Sequence, residues 1–512
     1  MMDFNKFKLD RINPDSFKVI KELKLFLDEF VNHKEFNHLT IFLSDKLGLN
    51  PSILNLKIKK YLLTKFNYKS NKFNSFSSPL NIISDLIIFL LLYFRISFFG
   101  KKSKEIRSEV LLTNVDFYDE VEKFKNVLSK ASSSTILFNK NIYFKNTKKN
   151  IKDEYLKENL IVNYKNSELT FSYKDKKVIS KFKTNIKEIN KIPMIKAPIK
   201  NKSVILKFAL RFFIISFKNK FNFLRILNLI FQSYIKNYSI FSNYKSKFLL
   251  QDRLYNTCPI RNFLFKKSGG LKTYCLQTHL VEGSINMFND IDVLLTFGSE
   301  KYSLEYLTEF GSRVEKIEPV GSLRGESFIK DKKNTFSYKN KIDILIIGVN
   351  LFNWLYVNEA QKKNYYNFIK FIRELSLAYK NLNISIKHHP NNVSDAMEKE
   401  ILNGSNVKFL DPYLNTYRFI ENTKYFLSFS STMILEVYGF GKKGFFIDVD
   451  QNNYIFFKKN EVLKKISVSN LDDLKQKLNS ENNLQKDKNY NDNFCLNNNN
   501  VSNLIFKSFN TN

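Results

Sequence analysis

The sequence predicts an α/β protein of two doubly wound domains facing a cleft, preceded by a helical, basic N-terminal region. Three observations carry that expectation. Short apolar runs alternate with helix-length stretches from Glu109 to Ser322, and the alternation resumes at Ile342 and continues to Val449. The runs at 384–387, 407–410, 425–429 and 445–449 are short and apolar and close on polar or turn residues, the pattern of parallel strands joined by helices. Between the two alternations lies a polar, charged stretch, 323–340, that reads as a linker.

Residues 1–104 form the basic helical region. Within it, the segment 80–102 holds an uninterrupted apolar run only from Leu86 to Phe94, bounded by Asp85 and Arg95. A spanning helix takes about 20 apolar residues, so this segment is either a helix buried in the protein or one lying in a membrane interface. The stretch 204–231 poses the same alternative. The first domain, 105–325, opens with strands at 109–114 and 134–138 flanking a helix at 116–130, and 169–182 alternates like a hairpin. Strands at 247–252, 273–279, 292–298 and 316–322 follow, with helices at 256–267 and 299–310. Gly269 and Gly270 stop the first of these helices. Gly321 provides for a backbone turn at the hinge.

The second domain, 326–479, starts with the strand 342–350. Helix 358–380 carries Tyr365, Phe368, Ile369, Ile372, Leu375 and Tyr379 at helical spacing. The four short strands come next, with a helix-length stretch from Thr432 to Gly439, and a last helix near 471–479. The Asn-rich stretch 480–512 has the composition of a disordered tail.

Composition narrows the partners. Against 49 Asp and Glu stand 82 Lys and Arg, a net charge of +33, which fits an anionic membrane surface, a negatively charged substrate or nucleic acid. No helix-turn-helix, zinc-finger or aromatic-basic ribonucleoprotein motif accompanies the charge, so nucleic acid is not favoured. Cys258, Cys275 and Cys495 have neither pairing nor metal-ligand spacing, which points to a reducing compartment and no zinc site. The opening MMDFNKFKLDRINPD has no apolar run, so no signal peptide is expected.

In doubly wound sheets, ligands bind beyond the carboxyl ends of the strands. His388, His389 and Pro390 lie at one such end; Ser428, Ser430, Ser431 and Thr432 lie at another. Those hydroxyls also cap a helix whose free N–H groups favour an anion such as phosphate. Gly348 and Asn350 end a third strand, where the backbone approaches a ligand or makes a simple turn. Asp252, His279 and Gly298 mark strand ends of the first domain.

Two of these segments, KHHPNN at 387–392 and SFSSTMILEVYGFGKKGFFIDV at 428–449, resemble motifs of bacterial surface-polysaccharide glycosyltransferases of the two-Rossmann-domain GT-B architecture. The likeness covers roughly residues 245–450. Sialyl-, polysialyl- and Kdo-type transferases have a His-Pro motif and a later Ser-Ser/Thr motif that hold the donor nucleotide. CDP-glycerol:polyglycerophosphate transferases and nucleotide-sugar 2-epimerases share a similar C-terminal pattern. Two departures stand out. The sialyltransferases carry an acidic-acidic-Gly motif where this chain has Gln251, Asp252 and Arg253, and the glycerophosphate transferases have a His-Gly pair where His279 is followed by Leu280.

The resemblance implies a nucleotide-activated sugar donor, a glycan or lipid-linked acceptor, and transfer with no cofactor and no metal. His389 or His388 would hydrogen-bond or neutralise the departing phosphate. Ser430, Ser431 and Thr432 offer hydroxyls beside it, and Glu436, one turn beyond Thr432, would take a ribose or sugar hydroxyl. Asp252 and His279, from the opposite domain, are the candidates for the base. Arg324 reads as an exposed linker residue. The expected protein is a cytoplasmic glycosyltransferase, peripheral on the inner membrane, that moves a sugar or polyol phosphate to a surface glycan. The alternatives are a nucleotide-sugar 2-epimerase and a basic nucleic-acid-binding protein without catalysis.

Overall fold

A computed structural model describes residues 27–68, 78–98, 106–115, 136–140, the strands between 160 and 188, 202–219, 221–252, 257–278, 288–299, 311–330, 340–348, 359–389, 396–412, 414–450, 461–484 and 488–510. Three helices come first: α1 (Lys34–Leu47), α2 (Pro51–Tyr68) and α3 (Pro79–Phe98). His33 caps α1 by accepting from the amide of Glu35, and Gly48 ends it in the left-handed conformation at φ 61°. α2 is pinned to the first domain by Lys60, whose ammonium donates to the Thr257 carbonyl (2.8 Å) and to Asn289 Oδ1 (2.7 Å). Burial lowers the pKa of that lysine to about 7.

The first sheet contains β1 (Ile106–Val115), β2 (Ile136–Lys140), β6 (Ile186–Glu188), β7 (Tyr244–Gln251), β8 (Lys272–Leu276), β9 (Asp290–Thr296) and β10 (Arg313–Pro319). Its order is β10-β9-β8-β7-β1-β2-β6, and every pairing is parallel. Counted along the chain, β1 pairs with β7 on one side, from which the later strands extend, and β2 and β6 lie on its other side. That is the doubly wound order, with its switch point between β1 and β7. The hairpin read at 169–182 is present as β4 (Glu168–Tyr173) and β5 (Lys176–Lys183), and β3 (Leu160–Lys165) extends it to an antiparallel meander inserted between β2 and β6. The stretch 204–231 becomes two helices, α4 (Lys202–Lys218) and the start of α5 (Phe223–Asn243). α6 (Pro259–Lys267) follows β7. The helices expected at 116–130 and 299–310 lie outside the described residues.

The second sheet contains β11 (Ile342–Ile347), β12 (Ile384–Lys387), β13 (Lys408–Leu410), β14 (Thr423–Ser428), β15 (Lys443–Ile447) and β16 (Ser467–Val468). All pairings are parallel and the order is β13-β12-β11-β14-β15-β16. In chain order this reads 3-2-1-4-5-6, the arrangement of dinucleotide-binding folds. Ile344, Leu345, Ile346, Phe426, Leu427, Phe445 and Phe446 are fully buried, as strands covered on both faces require. The chain is thus two Rossmann-like domains in tandem, the GT-B arrangement expected from the sequence.

Three expectations are corrected. The linker expected from Leu323 begins as a helix, α7 (Leu323–Lys330), and not as exposed chain. Its Glu326 is fully buried, where the carboxylate accepts from the amide and hydroxyl of Ser502 and from Lys330. The Asn-rich stretch is no disordered tail over its described length. The helix near 471–479 runs on as α12 (Leu471–Leu484), and α13 (Lys488–Phe494) and α14 (Val501–Asn510) follow. α14 returns to the first sheet, where Phe509 stacks on Phe248 (5.2 Å between centroids) and meets Tyr274 edge-on (4.8 Å). Val501 and Ile505 join the same core cluster. Apolar residues at 501, 505 and 509 repeat every four positions, a helix stripe hidden by its Asn-rich surroundings. The third correction concerns the stretch Thr432–Gly439. Only Met433–Glu436 (α10) is α-helical; Val437–Phe440 tightens to a 3-10 turn that Gly441 ends at φ 68°.

Candidate functional site

The switch point of the second sheet falls between β11 and β14, and the sequence places a distinct group at each strand end around it. After β11 comes Gly348, whose amide donates to the carbonyl of Lys387 at 2.9 Å. A Cβ here would stand 2.8 Å from the Cα of His388, so only glycine permits the two strand ends to approach this closely.

β12 ends in Lys387, with His388 and His389 beyond. The two histidines have different surroundings. His388 is buried, with Nε2 3.0 Å from Glu398 Oε1 on α9 (Ala396–Ile401) and its ring stacked over Phe409 at 5.9 Å. Glu398 also receives the Tyr365 hydroxyl from α8 (Glu359–Ala378) at 3.2 Å. His388 therefore locks helices onto the sheet. His389 is the one of the pair on the exposed side, and burial together with the adjacent Lys387 holds its pKa below the ordinary imidazole value. That lowering favours the neutral ring, which acts as a hydrogen-bonding group.

Lys387 opens the KHHPNN segment, where the sequence marks no role for it. It is buried, and its ammonium donates to the carbonyls of Pro412 (3.1 Å) and His388 (3.3 Å). Burial lowers its pKa to about 8, against the pull of Asp411. In the unfolded chain the lysine keeps its proton up to the ordinary value of about 10.4. Between about 8 and 10.4 the unfolded state therefore binds more protons than the folded one, and stability rises with pH across that window. Lys387→Met is expected to shrink this rise, leaving the share that Lys60 contributes by the same rule. Denaturation midpoints at pH 8 and pH 10 for both proteins check it; an equal increase in both would exclude Lys387 as its source.

β14 ends in Ser428, which is fully buried. Its hydroxyl donates to the Ile347 carbonyl at 2.7 Å and accepts from the amides of Ser430 (3.3 Å) and Ser431 (3.0 Å). This one hydroxyl folds the loop back over the switch point and leaves Ser430, Ser431 and Thr432 half-exposed at the rim. Ser431 Oγ accepts from the Met433 amide at 3.3 Å. One strand, β11, separates the ends of β12 and β14: Lys387 and Ser428 both register with Ile347, about 10 Å apart at two strand spacings, and the chain runs on from them to His389 and Ser431 at the same edge.

Glu436 sits elsewhere than expected for a ligand group. Its Oε2 accepts from the hydroxyls of Ser322 and Tyr417. Ser322 follows the first sheet, and its amide donates to Asn498 Oδ1 at 2.9 Å. The carboxylate thus fastens the two domains together and raises the pKa of the Tyr417 phenol, which burial already holds well above its usual value. No sequence signal marked this junction, because its members are 114 and 19 residues from Glu436.

In the first domain, Asp252 follows β7 at the other switch point and is fully buried, beside Gln251, whose Oε1 accepts from Arg261 at 2.8 Å. Asp252 also helps raise the pKa of the buried Cys275 thiol, after desolvation. His279, Pro390 and Asn350 lie outside the described residues. The site residues brought together are therefore Gly348, His388, His389, Ser430, Ser431 and Thr432; Glu436 is drawn into the domain junction.

The strand orders define an α/β protein of two Rossmann-like domains, with these residues at the switch point of the second. No family model matches the sequence, and no curated protein does. Among solved structures, the chain is similar to UDP-GlcNAc 2-epimerase from Methanocaldococcus jannaschii at 13% identity, over 78% of this chain and 98% of that one, with a TM-score of 0.40. A putative UDP-N-acetylglucosamine 2-epimerase from Listeria monocytogenes matches at 12% identity over 80% and 96%, with a TM-score of 0.43. The wall teichoic acid polymerase TagF matches at 8% over 84% and 95%, with a TM-score of 0.42.

Proposed function

We propose that the protein is a glycosyltransferase that takes a sugar, or a polyol phosphate, from a nucleotide-activated donor and delivers it to a surface polysaccharide or lipid-linked glycan. One observation carries the reading. The 3-2-1-4-5-6 sheet presents a glycine, an imidazole and a row of hydroxyls at the strand ends on both sides of its switch point, where nucleotides bind in such sheets. In this reading Gly348 lets the ends of β11 and β12 close together beside the donor, and His389 donates a hydrogen bond to the phosphate that leaves. Ser430, Ser431 and Thr432 bind its remaining oxygens. These bonds strengthen as negative charge builds on the leaving oxygen, which is where they accelerate transfer. Asp252, the base expected from the sequence, is fully buried, so the acceptor hydroxyl is not assigned to it.

A thermal-shift series with CMP, CDP and UDP tests the donor half. One of them should raise the melting temperature of the wild type, and His389→Ala and Ser431→Ala should each lose most of that shift while melting normally without nucleotide. No shift with any of the three, or shifts equal in all proteins, would sink the assignment. Interconversion of a nucleotide sugar without an acceptor would move the reading to an epimerase.

A further inference from the structure

The sequence left two readings for the stretches 80–102 and 204–231, and the structure divides each helix between them. On α3 the inward face carries Ile82, Asp85 and Phe89, all buried. Asp85 receives Asn222 at 2.7 Å, Asn228 through its own carbonyl at 2.7 Å, and the Arg225 guanidinium at 3.1 Å, which fixes the helix against α5. The outward face carries Leu80, Ile83, Ile87, Leu91 and Phe94, between 43% and 78% exposed. Their spacing of three, four, four and three places them in one stripe. α4 packs beside α3 and repeats the design. It buries Ile205, Ala209, Phe212 and Ser216 and exposes Val204, Leu210, Ile214 and Phe217.

An outer face of this kind on a helix that is already docked calls for a cover. The charge says which. α4 contains no acidic residue and exposes Lys207, Arg211 and Lys218 around its apolar side chains. The one acid of α3 is Asp85, turned inward. The outer faces are therefore apolar and basic, in a chain of net charge +33. No helix among the described residues is long and apolar enough to cross a membrane. We propose that α3 and α4 form a platform that lies in the interface of an anionic bilayer, with the apolar stripes sunk about 5–10 Å into the headgroup boundary and the basic side chains on lipid phosphates.

Vesicle sedimentation of the full chain tests this independently of any nucleotide. The wild type should pellet with vesicles of phosphatidylcholine and phosphatidylglycerol, and at least about tenfold less with phosphatidylcholine alone or in high salt. Ile87→Glu with Leu91→Glu, and separately Lys207→Glu with Arg211→Glu, should each reduce binding about tenfold or more. All four positions are exposed, so the fold and the thermal shift with nucleotide should be retained. Equal binding by wild type and both variants, or no binding to anionic vesicles, overturns the proposal. So does a wild-type dimer that the first variant makes monomeric with vesicle binding unchanged, because the face then covers a second copy.

Discussion

Phe509→Ala is expected to destabilise the protein by about 3–5 kcal/mol, the cost of emptying a buried aromatic site. Phe509 lies three positions from the end of the sequence region that composition marks as tail, yet its ring stacks on Phe248 of β7 and meets Tyr274 of β8 edge-on. The neighbouring backbone is engaged as well, since the Tyr274 hydroxyl donates to the Ser508 carbonyl at 2.9 Å. Removing the ring leaves a cavity between α14 and the first sheet, lined by Leu250, Leu276 and Ile505. Urea denaturation of Phe509→Ala beside Asn510→Ala, an exposed neighbour, separates packing from a general tail effect. A change under about 1 kcal/mol in both would mean that α14 does not complete the core.

Gly348→Val is expected to abolish the nucleotide-induced thermal shift. The new Cβ would stand 2.8 Å from a backbone atom of His388 and 3.1 Å from the Lys387 carbonyl oxygen. Backbone cannot rotate aside as a side chain does, so the ends of β11 and β12 must separate. Overpacking of this kind costs about 1–3 kcal/mol. It also moves His389 away from the Ser430–Thr432 loop, and a phosphate held from both sides loses one of them. Helical content by circular dichroism should stay near that of the wild type, since the clash is confined to the strand ends. A variant that keeps the full shift would show that the nucleotide does not use this switch point.

These two residues show how differently parts of the molecule were written in the sequence. Gly348 was legible: a glycine closing an apolar strand in a chain that alternates strand and helix. So were the ends of β12 and β14, because strand-end position follows from local polarity alone. The division of work between His388 and His389 was not legible. It depends on Glu398 and Phe409, which reach His388 from other elements. Glu436 fits a ligand role by its helical spacing from Thr432 and is withdrawn from it by Ser322 and Tyr417. The tail was misread because Asn-rich composition dominates a window in which Val501, Ile505 and Phe509 still form a stripe.

What the sequence determined by itself was the class of fold and which polar residues stand at the strand ends of the second sheet, because strand burial and turn chemistry are local. Only the tertiary structure decided which side chains at that edge are consumed in holding elements together, as His388 and Glu436 are. It also decided that the last helix belongs to the first core. Both depend on contacts between residues far apart in the chain, where each partner's identity has meaning only once packing has brought the two together.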